Sequence, residues 1–566
     1  MRRPMFILLS FVLLLGCVPN PDIVIKPPEP KAWTAEDLDA VVKMEEKSIY
    51  APAPSDNGQP PAACDYIRYL SFTPKASDME PDAVLMLAPG MDTGMGALTN
   101  LGRNLIYVAK TYHNANIQVL VAERRGNCLE DLTGVNAAEE LQDINTAIDY
   151  YYNAKPINGK IFEGFVTNEQ APYLSEFGVK LNIEDFYKII TTEVPDPEIR
   201  RQKLFLAGHS ISGLTMSIFA AWDFDGDPST LDDAGYRNCA GFIALDTFIT
   251  VDPEMNNALY DLFPEQMRTL LRNTITKSSY KSMVANLRSG KLSRILLPKI
   301  LPESFMLTEL SAMQADWAPN QESTLLDTVP YSENVDGYLK TILSGTYRDF
   351  MQPESAYKDI RCTNLALFGL LIDDNFNPST GGSLSLGFLG NGKVADKNFP
   401  IPNMIDNFPA MSDMIQTLFP PSLYYPTEKA STLYKWANFD EFESSAFTTP
   451  EDEVVDIYDY IRGVYSGPTN YYEWYFPIRH FVDVTAVIEK GWIGDANHYR
   501  HTDYESKVPI LKLVSEYGIV TPYPAANMDN SVFFKGYTHF DIVMASANRS
   551  SRPSKVVESI LDFVLQ

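Results

Sequence analysis

Ser210 stands in Gly208-His209-Ser210-Ile211-Ser212-Gly213, between the mostly apolar run 203–207 and a second apolar run that continues to Trp222. A serine hydroxyl is a weak nucleophile until a neighbouring base takes its proton, and the common base is a histidine oriented by a carboxylate. The chain has 6 histidines: His113, His209, His480, His498, His501 and His539. A nucleophilic serine on a strand-to-helix elbow carries the pattern G-x-S-x-G, whose small residues let strand and helix pack closely around a strained backbone. Gly208 fills the first small position, but Ser212 stands at the second and Gly213 follows one later, so the match is G-x-S-x-S-G. Centring the pattern on Ser212 would put Leu214 where a small residue is required, which makes Ser210 the better register. The same residues also fit a tight turn that buries a serine and does no chemistry.

Two other stretches carry chemical possibilities. "DFDGDPSTLDD" (223–233) alternates acids as a calcium loop does, with Asp223, Asp225 and Asp227 as candidate ligands. Its glycine comes two positions early for an EF-hand and no glutamate closes it, so a solvated turn is the simpler reading. The glycines of "PGMDTGMG" (89–96) are not followed by G-K-[ST], which excludes a phosphate loop. Cys64, Cys128, Cys239 and Cys362 match no metal spacing; in an exported protein they could form two disulfides in any of three pairings.

The elements that must position these residues alternate between strand and helix. "YIRYLSFTP", "DAVLMLAPG", "IQVLVAERRGN", "KLFLAGHS" and "GFIALDTF" read as strands, the second as a continuous apolar run suited to a buried parallel strand. "LTNLGRNLIYVAKTY" and "AAEELQDINTAIDYYYNA" read as helices between them. Such alternation predicts an α/β fold with a mostly parallel sheet covered on both faces, whose function collects at the carboxyl ends of its strands.

A strand, "GHSIS", a helix, a second strand ending in an acid, and near the carboxyl terminus a strand followed by histidine together resemble the α/β-hydrolase family. The resemblance covers residues 64–252 and 506–566. It implies a serine hydrolase of the esterase or lipase kind with Ser210 as nucleophile. His539, after "VFFKG" in "GYTHFDIV", is similar to the family's histidine after the final strand; His480, His498 and His501 fall in a segment that would be an insertion. For the acid, the position the family normally uses after "VPILKLVSEYGIV" is Gly518, with Glu516 two residues earlier. Asp246 in "FIALDTF" resembles the acid of pancreatic-type lipases and is preferred; Glu516 is the alternative, and Asp373 and Asp374, after the strand-like "NLALFGLLIDD", come behind both. The family's oxyanion hole maps to the backbone N–H groups of Met91 and Ile211. No cofactor is implied.

The organisation expected on this basis is a signal peptide over 1–16, a tether with a short helix over 17–62, and the first part of the hydrolase core over 63–252. A large cap or lid insertion over 253–505 and the rest of the core over 506–566 follow. "MRRPMFILLSFVLLLGC" has two arginines and an apolar run too short to span a bilayer, and its Leu14-Leu15-Gly16-Cys17 is similar to the lipobox of bacterial lipoproteins. That implies a lipid on Cys17 and an exported protein attached to the bacterial cell envelope. Thr34 and Asp37 have capping-box spacing for the short helix. Residues 266–302 carry eight Lys or Arg and no acid, which fits either a helix pair lying on an acidic core or a lid touching an anionic surface. The Tyr, Phe and Trp of the insertion as a whole suggest a hydrophobic ester as substrate or a guarded pocket. With 46 basic against 73 acidic residues and a net charge of −27, the chain repels nucleic acid. A serine exopeptidase on the same triad, or an inactive hydrolase fold serving as a surface binding lipoprotein, are the competing readings.

Overall fold

The computed structural model describes residues 33–566 except 76–78, 228, 251–276, 353–355, 378–381, 400–423, 429, 439–440, 442–454, 467–470, 491–497, 521–529 and 545–552. The leader, Cys17 and the beginning of the tether lie outside the described residues.

Eight strands form one sheet: β1 (Val42–Tyr50), β2 (Tyr66–Pro74), β3 (Ala83–Ala88), β4 (Ile117–Ala122), β5 (Leu204–His209), β6 (Gly241–Leu245), β7 (Ile510–Tyr517) and β8 (Ser531–Thr538). Their spatial order is β1-β2-β4-β3-β5-β6-β7-β8. β2 runs antiparallel to both its neighbours, and every other pairing is parallel. Parallel neighbours need crossovers, and helices supply them. α1 (Thr99–Tyr112), α2 (Val179–Glu193), α3 (Ile211–Ala221) and α4 (Lys555–Val564) cover the two faces. Side-chain alternation divides each strand between them: Leu85 and Leu87 enter the core under α1 and α4, whereas Val84, Met86 and Ala88 enter the core under α2 and α3. This is the α/β-hydrolase architecture the sequence resembles, and its mostly parallel sheet answers the expected fold class.

Four expectations need correction. The stretch read as tether contains β1, an edge strand along β2, so the folded core begins before Cys64. Its charges hid it: Lys43 pairs with Glu45, Lys47 with Glu193 and Glu46 with Arg68, the kind of charged edge that blocks further strand pairing. The helix read across residues 137–154 breaks at Gln142, whose φ is 52°, and Asp143 caps the next helix at Ile144–Asn153. "NLALFGLLI" is a helix, Asn364–Ile372, capped by the Thr363 side chain and buried on every face, so its sequence shows no helical period. Cys64 pairs with Cys128, while Cys239 and Cys362 are buried free thiols, so there is one bridge and not two. The short helix Ala35–Val41 does have the expected capping box.

Residues 246–509 lie between β6 and β7 in sequence. Helices Leu301–Trp317 and Ile457–Tyr465 pack on the α1 side of the core, and Leu386, Phe388 and Leu389, in and beside the strand Gly387–Gly390 that pairs antiparallel with Lys435–Asn438, join them. Of the basic stretch, residues 266–276 lie outside the described ones. Lys277–Ser289 is a helix packed through Tyr280, Val284 and Leu287 on Val482 and Ala486, with Arg288 paired to Glu176 at 2.7 Å.

Candidate active site

Ser210, Asp246 and His539 each follow a strand, β5, β6 and β8, at the carboxyl edge of the sheet. Ser210 has φ 55° and ψ −128°, a left-handed conformation that a side-chain-bearing residue adopts only under constraint. The constraint is local packing. A Cβ on Gly208 would lie 2.5 Å from the backbone of Ser212, so the position two before the serine must be glycine. A Cβ on Gly213 would lie 2.1 Å from Thr247 Cγ2 and 2.9 Å from the Phe248 carbonyl. The helix therefore approaches the next loop at Gly213, one residue later than the ordinary pattern. Ser212 can stand between because it is wholly buried and its Oγ donates to the Pro89 carbonyl at 2.5 Å.

His539, 2% exposed, sets its Nδ1 2.6 Å from Asp246 Oδ2. Asp246, itself at φ 44°, also accepts from the Ser515 amide at 3.1 Å and the Ile519 amide at 3.0 Å. Three donors thus fix a fully buried carboxylate. Gly518 explains why the preferred acid comes from β6: a Cβ there would sit 2.1 Å from Asp246 Oδ2. The position that carries the acid in the family's common arrangement is empty so that Asp246 can fill it. The alternative, Glu516, turns its carboxylate to the Gly536 amide at 2.7 Å. Asp373 accepts from the amides of Asn375, Leu386 and Gly387, and Asp374 is wholly buried beside it, so both serve the loop around residue 385.

His209 stacks on His539 with ring centroids 4.4 Å apart and donates from Nε2 to the His539 carbonyl at 3.1 Å. Burial, and then the neighbouring imidazole, hold His209 well below the ordinary histidine range, so it is a neutral donor that braces His539. His480 contacts Thr215 Oγ1 at 3.0 Å, and burial pushes it down to about 3. His113 pairs with Glu558, and His498 and His501 lie beside Asp223.

The loop after β3 closes the other side of Ser210. A Cβ on Gly90 would lie 2.8 Å from His209 Nδ1 and 3.1 Å from Ser210 Cβ, so this loop presses directly against the serine. Met91 follows, with 37% of its surface exposed, and Ile211 opens α3, where a helix's first amides have no partner inside the helix. Arg124, at the end of β4, donates to the carbonyls of Pro89 at 2.7 Å and Thr93 at 2.8 Å, and to that of Gly90. Its charge is met by Glu473 Oε2 at 2.6 Å, and both side chains are buried. Thr93 forms an antiparallel bridge with Tyr472, flanked by Gly94 N to Tyr471 O at 2.8 Å and Glu473 N to Asp92 O at 3.0 Å. Asp92 is pushed up to about 7 by burial first and then by the charge of Glu473. Neither Arg124 nor Glu473 was singled out from the sequence; the one available signal was a charged Glu-Arg-Arg step closing a buried apolar strand.

In the acidic loop, carboxylate oxygens of Asp223, Asp225 and Asp233 lie within 4.8 Å of one another. Asp227 takes no part in that group; its carboxylate accepts from the Ser229 amide at 2.9 Å.

No protein-family model matches the chain, and no curated protein matches it. Among solved structures, it is similar to a thermostable carboxyl esterase from Bacillus coagulans at 12% identity, over 92% of this chain and 99% of that one, with a TM-score of 0.28. A lipase in an open form is similar at 10% identity over 93% of this chain and 100% of that one, with a TM-score of 0.31. A laboratory-evolved potato epoxide hydrolase is similar at 10% identity over 92% and 99%, also with a TM-score of 0.31. The strand order defines the fold, and the contacts of Ser210, Asp246 and His539 define the site.

Proposed function

We propose that this protein is a serine hydrolase of carboxylic esters, with Ser210 as nucleophile, His539 as general base and acid, and Asp246 as the group that orients the imidazole. One observation carries the reading: an Asp246 carboxylate 2.6 Å from His539 Nδ1, with Ser210 held at φ 55° at the end of β5, the parallel neighbour of the strand that leads into Asp246. With Nδ1–H donated to Asp246, the Nε2 lone pair is the basic site. Ser210 Oγ attacks the ester carbonyl carbon as Nε2 takes its proton, and the carbonyl oxygen becomes an oxyanion accepting from the Met91 and Ile211 amides. Collapse breaks the bond to the alcohol oxygen, which leaves with the proton from Nε2. Water then attacks the acyl-serine, again losing its proton to Nε2, and the acid departs as Ser210 Oγ is reprotonated. None of these steps calls for a cofactor. A hydrophobic ester is the favoured substrate, because Met91, next to the Gly90 that faces the serine, exposes an apolar side chain.

The test is labelling of the full chain with a fluorophosphonate and location of the adduct by mass spectrometry. A tag on Ser210, absent in Ser210→Ala, is the expected result. A folded, detergent-treated protein that takes no label would overturn the reading in favour of a binding protein on a hydrolase fold.

We also propose that the chain is exported and anchored by lipid on Cys17. The support is the Leu-Leu-Gly-Cys sequence after an apolar leader, together with the Cys64–Cys128 bridge, which suits an oxidising compartment. No helix among the described residues is long and apolar enough to cross a membrane. Expressed in a bacterium with labelled palmitate, the protein is expected to carry label and fractionate with membranes, and Cys17→Ala to lose both.

A further inference from the structure

Three charged residues follow β4: Glu123, Arg124 and Arg125, each about 5% exposed. Buried charges need specific partners, and the partners show what each one does. Arg125 reaches Asp185 at 2.8 Å and the carbonyls of Ala51 and Cys64, so it ties the edge of the sheet to the disulfide turn. Arg124 is spent differently. Its fork collects three carbonyls of one short loop, those of Pro89, Gly90 and Thr93, and its remaining bonds go to Glu473 Oε2 at 2.8 and 2.6 Å and to Ser212 Oγ at 3.5 Å.

The Gly90 carbonyl belongs to the same planar peptide as the Met91 N–H. In a trans peptide the N–H points opposite to the C=O. An Arg124 fork that draws the Gly90 carbonyl to itself therefore aims the Met91 N–H away from the arginine. Gly90 faces the serine so closely that a Cβ on it would lie 3.1 Å from Ser210 Cβ, so the direction of this one peptide decides whether the amide is offered beside the serine. Glu473 keeps the guanidinium in place, and Glu473 is itself held by the bridge of residues 471–473 to residues 92–94.

We propose that Arg124, held by Glu473, is the positioning residue for the Met91 oxyanion amide, so that segment 471–473 is a fixed part of the active site and does not lift with a lid. The inference rests on the ester-hydrolase reading of Ser210. It makes the oxyanion hole a joint product of the sheet and of a segment some 350 residues later in the chain, since Arg124 and Glu473 are separated by 349 positions.

The experiment compares Arg124→Lys, which keeps the charge and loses the fork, and Glu473→Gln, which keeps the shape and loses the charge, with Arg125→Lys as a structural control. Steady-state hydrolysis of a p-nitrophenyl ester by the full chain is read as separate kcat and KM values, with thermal melting alongside. Loss of an oxyanion donor lowers kcat by about 100-fold or more. Both test variants are therefore expected to lose on the order of 10- to 100-fold in kcat with KM within about threefold, while Arg125→Lys lowers the melting temperature and spares kcat. Wild-type kcat in either folded test variant would overturn the proposal. A crystal structure of Arg124→Lys reads the Gly90–Met91 peptide directly, whatever the activity: a rotated peptide is expected, and an unchanged one overturns the proposal. A wild-type protein that neither hydrolyses esters nor labels at Ser210 would instead remove the hydrolase reading, a separate outcome.

Discussion

Asp246 and Glu516 stand close together in the fold, and their different partners make opposite expectations. Asp246 holds the imidazole tautomer, so Asp246→Asn is expected to cost about 10³- to 10⁴-fold in kcat, the scale of the same change in well-studied triads. Glu516 only accepts from the Gly536 amide, so Glu516→Gln is expected to leave kcat within about twofold. Ester hydrolysis by the two purified variants separates the assignments; a larger loss in Glu516→Gln would reverse them. Gly518→Ala tests the steric side of the same site. Its φ is not in the left-handed region, so the only objection to alanine is the Asp246 carboxylate 2.1 Å from where the Cβ would be. The carboxylate must move and loosen its hold on His539. The expected result is a loss of at least tenfold in kcat from a protein that still folds, measured with circular dichroism as the control.

At the scale of elements, the disulfide joins the turn before β2 to the turn after β4 and closes a loop of 64 residues. Chain entropy for a loop of this length amounts to about 4 kcal/mol. Cys64→Ala with Cys128→Ala is expected to lose about that much in denaturant unfolding, less whatever Arg125 retains through its bond to the Cys64 carbonyl. A double variant as stable as the parent would show that the bridge constrains nothing. The same elements show what was legible beforehand. β3 to β6 announce themselves as short apolar runs, and Ser210, Asp246 and His539 are implied by the resemblance of those strand ends to the α/β-hydrolase pattern. β1 was hidden because an edge strand carries charge, and Asn364–Ile372 because a helix buried all round has no period. Asp246 is preferred over Glu516 in the sequence because it resembles the pancreatic-type acid and Gly518 has no side chain to orient a histidine; the room that Gly518 leaves for the carboxylate exists only in the fold. Arg124 and Glu473 could not be read at all, because neither residue has a motif and their pairing exists only once the chain has folded.

The whole molecule carries more acid than base, and part of that acid is buried, which gives its stability a definite pH dependence. Burial pushes Glu123 up to about 8, Asp92 and Asp373 to about 7 and Asp541 to about 6. In the unfolded chain these groups titrate near 4. Between about pH 4 and pH 8 the folded protein therefore binds more protons than the unfolded one, and stability falls as pH rises through that window. His480 works in the other direction: held down to about 3, it stays neutral while the unfolded chain protonates below about 6.5, so acid weakens the fold. Together they place the greatest stability in mildly acidic solution, with a decline from pH 6 to pH 8.5. Surface repulsion in a chain of net charge −27 pushes the same way, but salt screens exposed charges far more than buried ones. Melting temperature is thus expected to fall from pH 6 to pH 8.5 even in 0.5 M salt. Glu123→Gln, which keeps an acceptor for the Met95 amide, should flatten the decline. A melting temperature that is level or rising across this range in high salt would mean that the buried carboxyls are already ionised at pH 6. Arg124 would then be balancing more than one negative charge behind the Met91 loop.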